Sequence, residues 1–143
     1  MRELYKSRER QVNMSKQSRV DVANELVVTI SSVGRKFFNY KGNIGRLEIG
    51  EKGHIFWIDH YKSQRIYTHY KGRWRGFTGG GTLKCLIEQL REFVRTGKKL
   101  YPDTFGPWPQ WLCSGDLWGY KDDMQIVRDK ANELNIMEPE SAP

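Results

Sequence analysis

The chain has 143 residues, a formal net charge of +7, 38% hydrophobic and 13% aromatic residues. This length suits one domain with a packed core, and no apolar run approaches the roughly 18 residues that a membrane-spanning helix needs. The two cysteines, Cys85 and Cys113, are too few for a disulfide framework and favour reduced thiols in a cytoplasmic protein.

The charge is unevenly distributed along the chain. Residues 35–99 hold 15 Lys and Arg against 5 Asp and Glu, whereas residues 100–143 hold 3 against 8. A basic centre beside an acidic segment indicates a bounded positive patch, unless the acidic segment folds back and neutralises it. We expect no membrane partner, because no apolar run is long enough to cross a bilayer.

The N-terminal part of the chain predicts one helix. Residues 1–17 are polar and charged without a sustained period, so we expect them to be disordered. A capping box at Ser18 and Asp21 then predicts a helix from about Arg19 to Phe38. Its apolar stripe at helical spacing comprises Ala23, Leu26, Val27, Ile30, Val33 and Phe37.

From Asn43 the apolar period changes to two, which indicates strands. Leu47 and Ile49 mark the first strand, and residues 55–61 form the second. The third strand, residues 65–70, directs Ile66, Thr68 and Tyr70 to one face and Arg65, Tyr67 and His69 to the other. Residues 73–77 are long enough to add a short fourth strand.

Two more helices are predicted in the C-terminal half. The apolar stripe of residues 83–96 ends at Gly97, a typical helix-terminating residue. A segment rich in Trp and Pro should close over the core, and a helix follows from Asp122 to Leu134. Together these elements predict an α+β domain over residues 18–136, with a three- or four-stranded antiparallel sheet, and a flexible tail over residues 137–143.

Nucleic-acid binding is the leading hypothesis for function. Clustered Lys and Arg attract phosphates, and exposed aromatic rings stack on bases. The alternative is an ordinary solvated sheet face, on which the cations simply meet water. The candidate residues are Lys62, Arg65, Tyr67, His69, Lys71, Arg73, Trp74 and Arg75.

A glycine-rich connection into the second helix is a candidate anion site. Free backbone amides at a helix start can hold a phosphate or carboxylate, and the residues concerned are Gly80, Gly81, Thr82 and Lys84. The segment lacks the Lys and Ser or Thr that follow the glycines of a P-loop, which disfavours nucleotide hydrolysis. A simple strand-to-helix connection is the alternative.

A protein-directed inhibitor or adaptor is the competing hypothesis, because Trp and Arg anchor many interfaces. The candidate interface residues are Trp74, Arg75, Trp108, Trp111 and Trp118, unless these rings close the core. The three histidines and two cysteines show no metal-ligand spacing. Cys85 falls beside the apolar stripe of its helix and is predicted to lie in the core. We therefore expect a non-enzymatic binding protein without metal or cofactor.

Overall fold

The computed structural model describes residues 15–71, 74–77, 81–105 and 121–139. The described residues form three helices and two small antiparallel sheets, which confirms the predicted α+β class. The helices are α1 (Lys16–Ser32), α2 (Gly81–Thr96) and α3 (Lys121–Glu133). The strands are β1 (Asn39–Tyr40), β2 (Asn43–Ile44), β3 (Arg46–Ile49), β4 (Ile55–Asp59) and β5 (Gln64–Tyr67), and short 3-10 turns cover Glu51–Gly53 and Pro102–Phe105.

Helix α1 begins and ends earlier than the sequence predicts. Its N-cap is Ser15, whose Oγ accepts a hydrogen bond from the backbone N–H of Ser18 at 3.1 Å, so the predicted cap at Ser18 is wrong. The helix stops at Ser32 rather than Phe38, because Gly34 and Lys36 take positive φ angles of 44° and 49° that a right-handed helix does not contain. The segment predicted to be disordered therefore includes the N-cap and the first two residues of α1.

An unpredicted hairpin follows α1. Strands β1 and β2 pair through a two-residue turn in which Lys41 and Gly42 have φ angles of 51° and 88°, as a type I′ turn requires. The Asn39 side chain accepts a hydrogen bond from the Gly42 N–H at 2.9 Å. Phe38 precedes the hairpin and packs edge-on against Trp57, with ring centroids 5.0 Å apart. The hairpin is therefore tied to the core.

The main sheet has the strand order β3-β4-β5 and two different faces. Leu47, Trp57 and Ile66 pair across the strands and are buried on the inner face. The opposite face, here called the outer face, comprises Arg46, Glu48, Phe56, Ile58, Arg65 and Tyr67. The predicted alternation in the third strand is confirmed for residues 65–68, but β5 ends at Tyr67 and Tyr70 is exposed.

Helix α1 lies against β3, α2 and α3, and therefore stands at the centre of the fold. The amide of Asn24 donates to the Leu47 carbonyl at 2.9 Å and accepts from the Leu47 N–H at 2.7 Å. This side chain satisfies the backbone of an edge strand. Buried Arg19 donates from Nε to the carbonyl of Val94, near the end of α2, at 2.8 Å.

Several predicted boundaries are wrong. Residues 74–77 form a turn, in which the Phe77 N–H bonds the Trp74 carbonyl at 3.1 Å, so these described residues add no fourth strand. Met137 is buried and bridges to Leu100, so the folded part extends beyond the predicted end at residue 136.

Cys85, predicted to be in the core, is exposed. No helix among the described residues is long and apolar enough to span a membrane.

Candidate nucleic-acid interface

Four rings meet at one end of the outer face, and we call them the ring cluster: His54, Phe56, Tyr67 and His69. Tyr67 is central, with its ring centroid 5.2 Å from His54, 5.7 Å from Phe56 and 5.6 Å from His69. The tilt between the rings of each pair lies between 43° and 49°. Tyr67 remains 37% exposed, so part of this aromatic surface faces solvent.

The strand register explains why these rings meet. Phe56 on β4 stands directly opposite Tyr67 on β5, and such cross-strand pairs bring side chains into contact. His54 and His69 lie just before β4 and just after β5. The sequence predicted Tyr67 and His69 but missed His54 and Phe56. The available signal was the alternation in β4, where Phe56 and Ile58 fall between the core positions of that strand.

Arg65 connects the ring cluster to two carboxylates. Its guanidinium lies 3.8 Å from the Phe56 ring centroid. It also bonds Glu48 at 3.2 Å and Glu51 at 3.1 Å. A hydrogen bond from the backbone of Glu51, followed by the one from Arg65, holds the pKa of the Glu51 carboxyl below its usual value. The charge of Arg65, a predicted phosphate ligand, is thus balanced on this face.

His69 lies beside a charged part of α2. Burial, reinforced by the nearby charge of Arg91, lowers the pKa of His69, while Glu92 acts in the opposite direction. Glu92 in turn bonds Arg95 at 2.8 Å and Arg91 at 3.2 Å, and the Arg95 hydrogen bond lowers the pKa of the Glu92 carboxyl. The neutral imidazole of His69 is therefore the favoured form near neutral pH.

The ring cluster does not include the other predicted nucleic-acid ligands. Lys62, Lys71 and Arg75 are exposed, and Arg73 lies outside the described residues. Trp74 is only 5% exposed and packs edge-on against Phe77, with the centroids 5.3 Å apart. The prediction of Trp74 as a surface stacking group is therefore wrong, because the turn at residues 74–77 directs its ring into the core.

The remaining candidate sites are only partly described. Helix α2 begins at Gly81, and the Nζ of Lys84 lies 5.4 Å from the Trp74 ring centroid. Gly80 and the side chain of Thr82 lie outside the described residues, so the anion site stays a prediction. Trp108, Trp111 and Trp118 also lie outside them, and the protein-interface hypothesis stays a prediction too. Within the described ranges, no group of three His, Cys, Asp or Glu residues is arranged to hold a metal ion.

Comparison with known proteins identifies relatives across nearly the whole chain. The family model described as YoqU matches residues 13–143. The SPbeta prophage-derived uncharacterized protein YoqU of Bacillus subtilis (strain 168) is 25% identical over 134 residues, covering 92% of this chain and 91% of that protein. No solved structure matches.

Proposed function

The chain belongs to the YoqU family, and we propose that it binds nucleic acid through the outer face of its main sheet. The observation that carries this proposal is the ring cluster, in which one exposed tyrosine contacts three further rings. Base–aromatic stacking contributes about 1–3 kcal/mol per base and tolerates any sequence. The ring cluster therefore suits contact with bases without a requirement for one particular sequence.

The composition of the outer face also distinguishes it from an ordinary solvated sheet surface. A merely wet face needs polar side chains, yet Phe56 and Ile58 occupy both outward positions of the central strand β4. Arg46 and Arg65 flank them on β3 and β5, so each strand of the sheet contributes to one mixed aromatic and cationic surface. This combination of stacking rings and neighbouring cations is typical of nucleic-acid-binding faces.

The proposed role is non-enzymatic, and a cytoplasmic location would give access to nucleic acid. Tyr67 and Phe56 would stack on bases, and Arg46 and Arg65 would approach phosphates. The carboxylates of Glu48 and Glu51 limit the attraction of phosphate to this face, so stacking would supply much of the affinity.

The test is fluorescence anisotropy of a labelled dT12 oligonucleotide titrated with the full chain at 50 mM salt. Tyr67→Leu should weaken binding on the order of tenfold, the loss expected from one stacking contact. Tyr101→Leu is the matched control, because Tyr101 is also exposed and also lies near a cation, Lys98, but is absent from the outer face.

Thermal unfolding of each variant establishes that the fold is retained. Absence of association with single-stranded and duplex oligonucleotides at 50 mM salt would overturn the proposal. Equal affinities for Tyr67→Leu and Tyr101→Leu would also overturn it, since the outer face would then make no specific contribution.

A further inference from the structure

A second basic and aromatic surface lies where β3 begins and β4 ends. We call it the hairpin patch; its residues are Arg35, Lys36, Tyr40, Lys41, Tyr61 and Lys62, and all six are exposed. The Tyr40 and Tyr61 rings contact each other with centroids 5.3 Å apart. Lys41 Nζ lies 5.3 Å from the Tyr40 centroid, and the Tyr61 hydroxyl donates to the Asn39 carbonyl at 3.0 Å.

The cations of the hairpin patch differ from those around the ring cluster. Residues 33–47 contain no Asp or Glu, and within the described part of the chain the four cations of the patch form no ion pair. The nearest acid along the chain to Tyr61, Asp59, is 3% exposed and accepts a hydrogen bond from the Tyr61 N–H at 2.9 Å. By contrast, Arg46, Arg65, Arg91 and Arg95 are all paired with glutamates.

The backbone of this surface adds an independent observation. Lys36 and Lys41 have φ angles of 49° and 51°, a region that lysine adopts at a cost of roughly 1–2 kcal/mol relative to glycine. At a two-residue type I′ turn, Asn or Gly would form the same hairpin more favourably than Lys. The chain therefore places cations where turn chemistry alone favours neutral residues.

The ring cluster and the hairpin patch lie along one strand direction. From Phe56, β4 runs three residues to its end at Asp59, a distance of about 10 Å at the usual strand rise. Tyr61 and Lys62 lie two and three residues after that end, in the turn to β5. A nucleic acid that touches both surfaces therefore spans at least about three nucleotides at the 3.4 Å rise of a stacked strand.

We propose that the hairpin patch binds the phosphate backbone of a single-stranded nucleic acid whose bases stack on the ring cluster. The inference rests on the proposed function and names its substrate class and the path of the bound strand. A single strand is required because the faces of bases inside a duplex are already stacked and cannot lie against Phe56 and Tyr67. The cations of the hairpin patch then add to an attraction for phosphate that Glu48 and Glu51 limit at the arginines of the outer face.

The experiment measures dT12 affinity as a function of salt concentration for two double variants with equal charge change. Lys41→Asn with Lys62→Gln removes two cations of the hairpin patch, and Asn tolerates the positive φ at position 41. Lys98→Gln with Lys130→Gln is the control, because these lysines belong to neither surface. The first variant should bind about tenfold more weakly at 50 mM salt. Its plot of log K against log salt should be less steep, with the negative slope smaller in magnitude by about 1.4, or about 0.7 per lost phosphate contact. The control should keep the wild-type slope.

The possible outcomes separate the two proposals. If the wild-type protein binds dT12 and the two double variants bind it with equal affinity, the hairpin patch proposal is wrong, while binding through the outer face stands. If a duplex of the same length binds as tightly as dT12, the single-stranded assignment is overturned. If neither oligonucleotide binds wild type at 50 mM salt, the proposed function itself fails.

Discussion

The guanidinium of Arg65 lies 3.8 Å from the centroid of the Phe56 ring while it bonds Glu48 and Glu51. The same side chain thus covers part of the ring cluster and balances two negative charges beside it. A base that stacks on the same side of the Phe56 ring must displace this guanidinium, and the shift loosens its bonds to its two anionic partners, Glu48 and Glu51. Phosphate can take their place, so Arg65 couples stacking to backbone contact under the proposed function.

Glu51→Gln should strengthen dT12 binding by about two- to fivefold, the effect expected from one exposed charge. The substitution removes a carboxylate that competes with phosphate for Arg65. Glu133→Gln is the control, since Glu133 is an exposed partner of Lys130 on α3. Anisotropy titrations at 50 mM salt compare the variants. An equal gain for both would attribute the effect to net charge and contradict the assigned role of Glu51.

The parts of the fold that the sequence predicted are those in which local periodicity and packing agree. In α2, the apolar stripe and the terminal Gly97 mark the same helix, and Gly97 has the expected positive φ of 82°. In β5 and the residue that follows it, burial of Ile66 and Thr68 follows from strict alternation. Neither element needed information from distant parts of the chain.

The errors arise where a local pattern fits more than one structure. Val33 and Phe37 continue the apolar stripe of α1, yet they pack against the core from a loop, because backbone turns rather than side-chain spacing end the helix. Trp74 lies between two arginines in the sequence, a pattern typical of an exposed segment. In the structure, the turn at residues 74–77 places its ring in the core. Half of the ring cluster was missed because its members come from separate strands, and their contact depends on the register of β4 and β5.

Trp74→Phe separates the core position of this residue from the role that the sequence predicted. It should lower the free energy of unfolding by about 1–2 kcal/mol, because the smaller ring leaves buried space. The indole Nε1 has no hydrogen-bond partner within the described structure, so the change should break no hydrogen bond. Urea unfolding measures stability, and dT12 affinity should stay at the wild-type value. A folded Trp74→Phe protein with weakened binding would contradict this assignment.

Loss of the Asn24 amide should strongly destabilise the protein, because this side chain bonds the edge strand β3 of the main sheet. Asn24→Leu should lower the free energy of unfolding by about 2–4 kcal/mol, since the Leu47 N–H and carbonyl both lose their partner in a part-buried position. Asn132→Leu is the matched control, because Asn132 is an exposed helical residue on α3. Urea unfolding of both variants measures the difference. A similar midpoint for the two would show that water replaces the amide at this edge.

Because of His69, we expect the free energy of unfolding to decrease as the pH drops below about 6.5, the ordinary pKa of histidine. Burial and the Arg91 charge lower the pKa of His69 in the folded protein, so the unfolded chain takes up a proton at a higher pH than the folded one does. The unfolded state then binds more protons in the window between the lowered pKa and 6.5, and the free energy of unfolding rises with pH across it. His69→Gln removes this titration and should flatten the dependence of the urea midpoint on pH in that window. An unchanged slope would show that the imidazole has the same pKa in both states and that neither burial nor Arg91 acts on it.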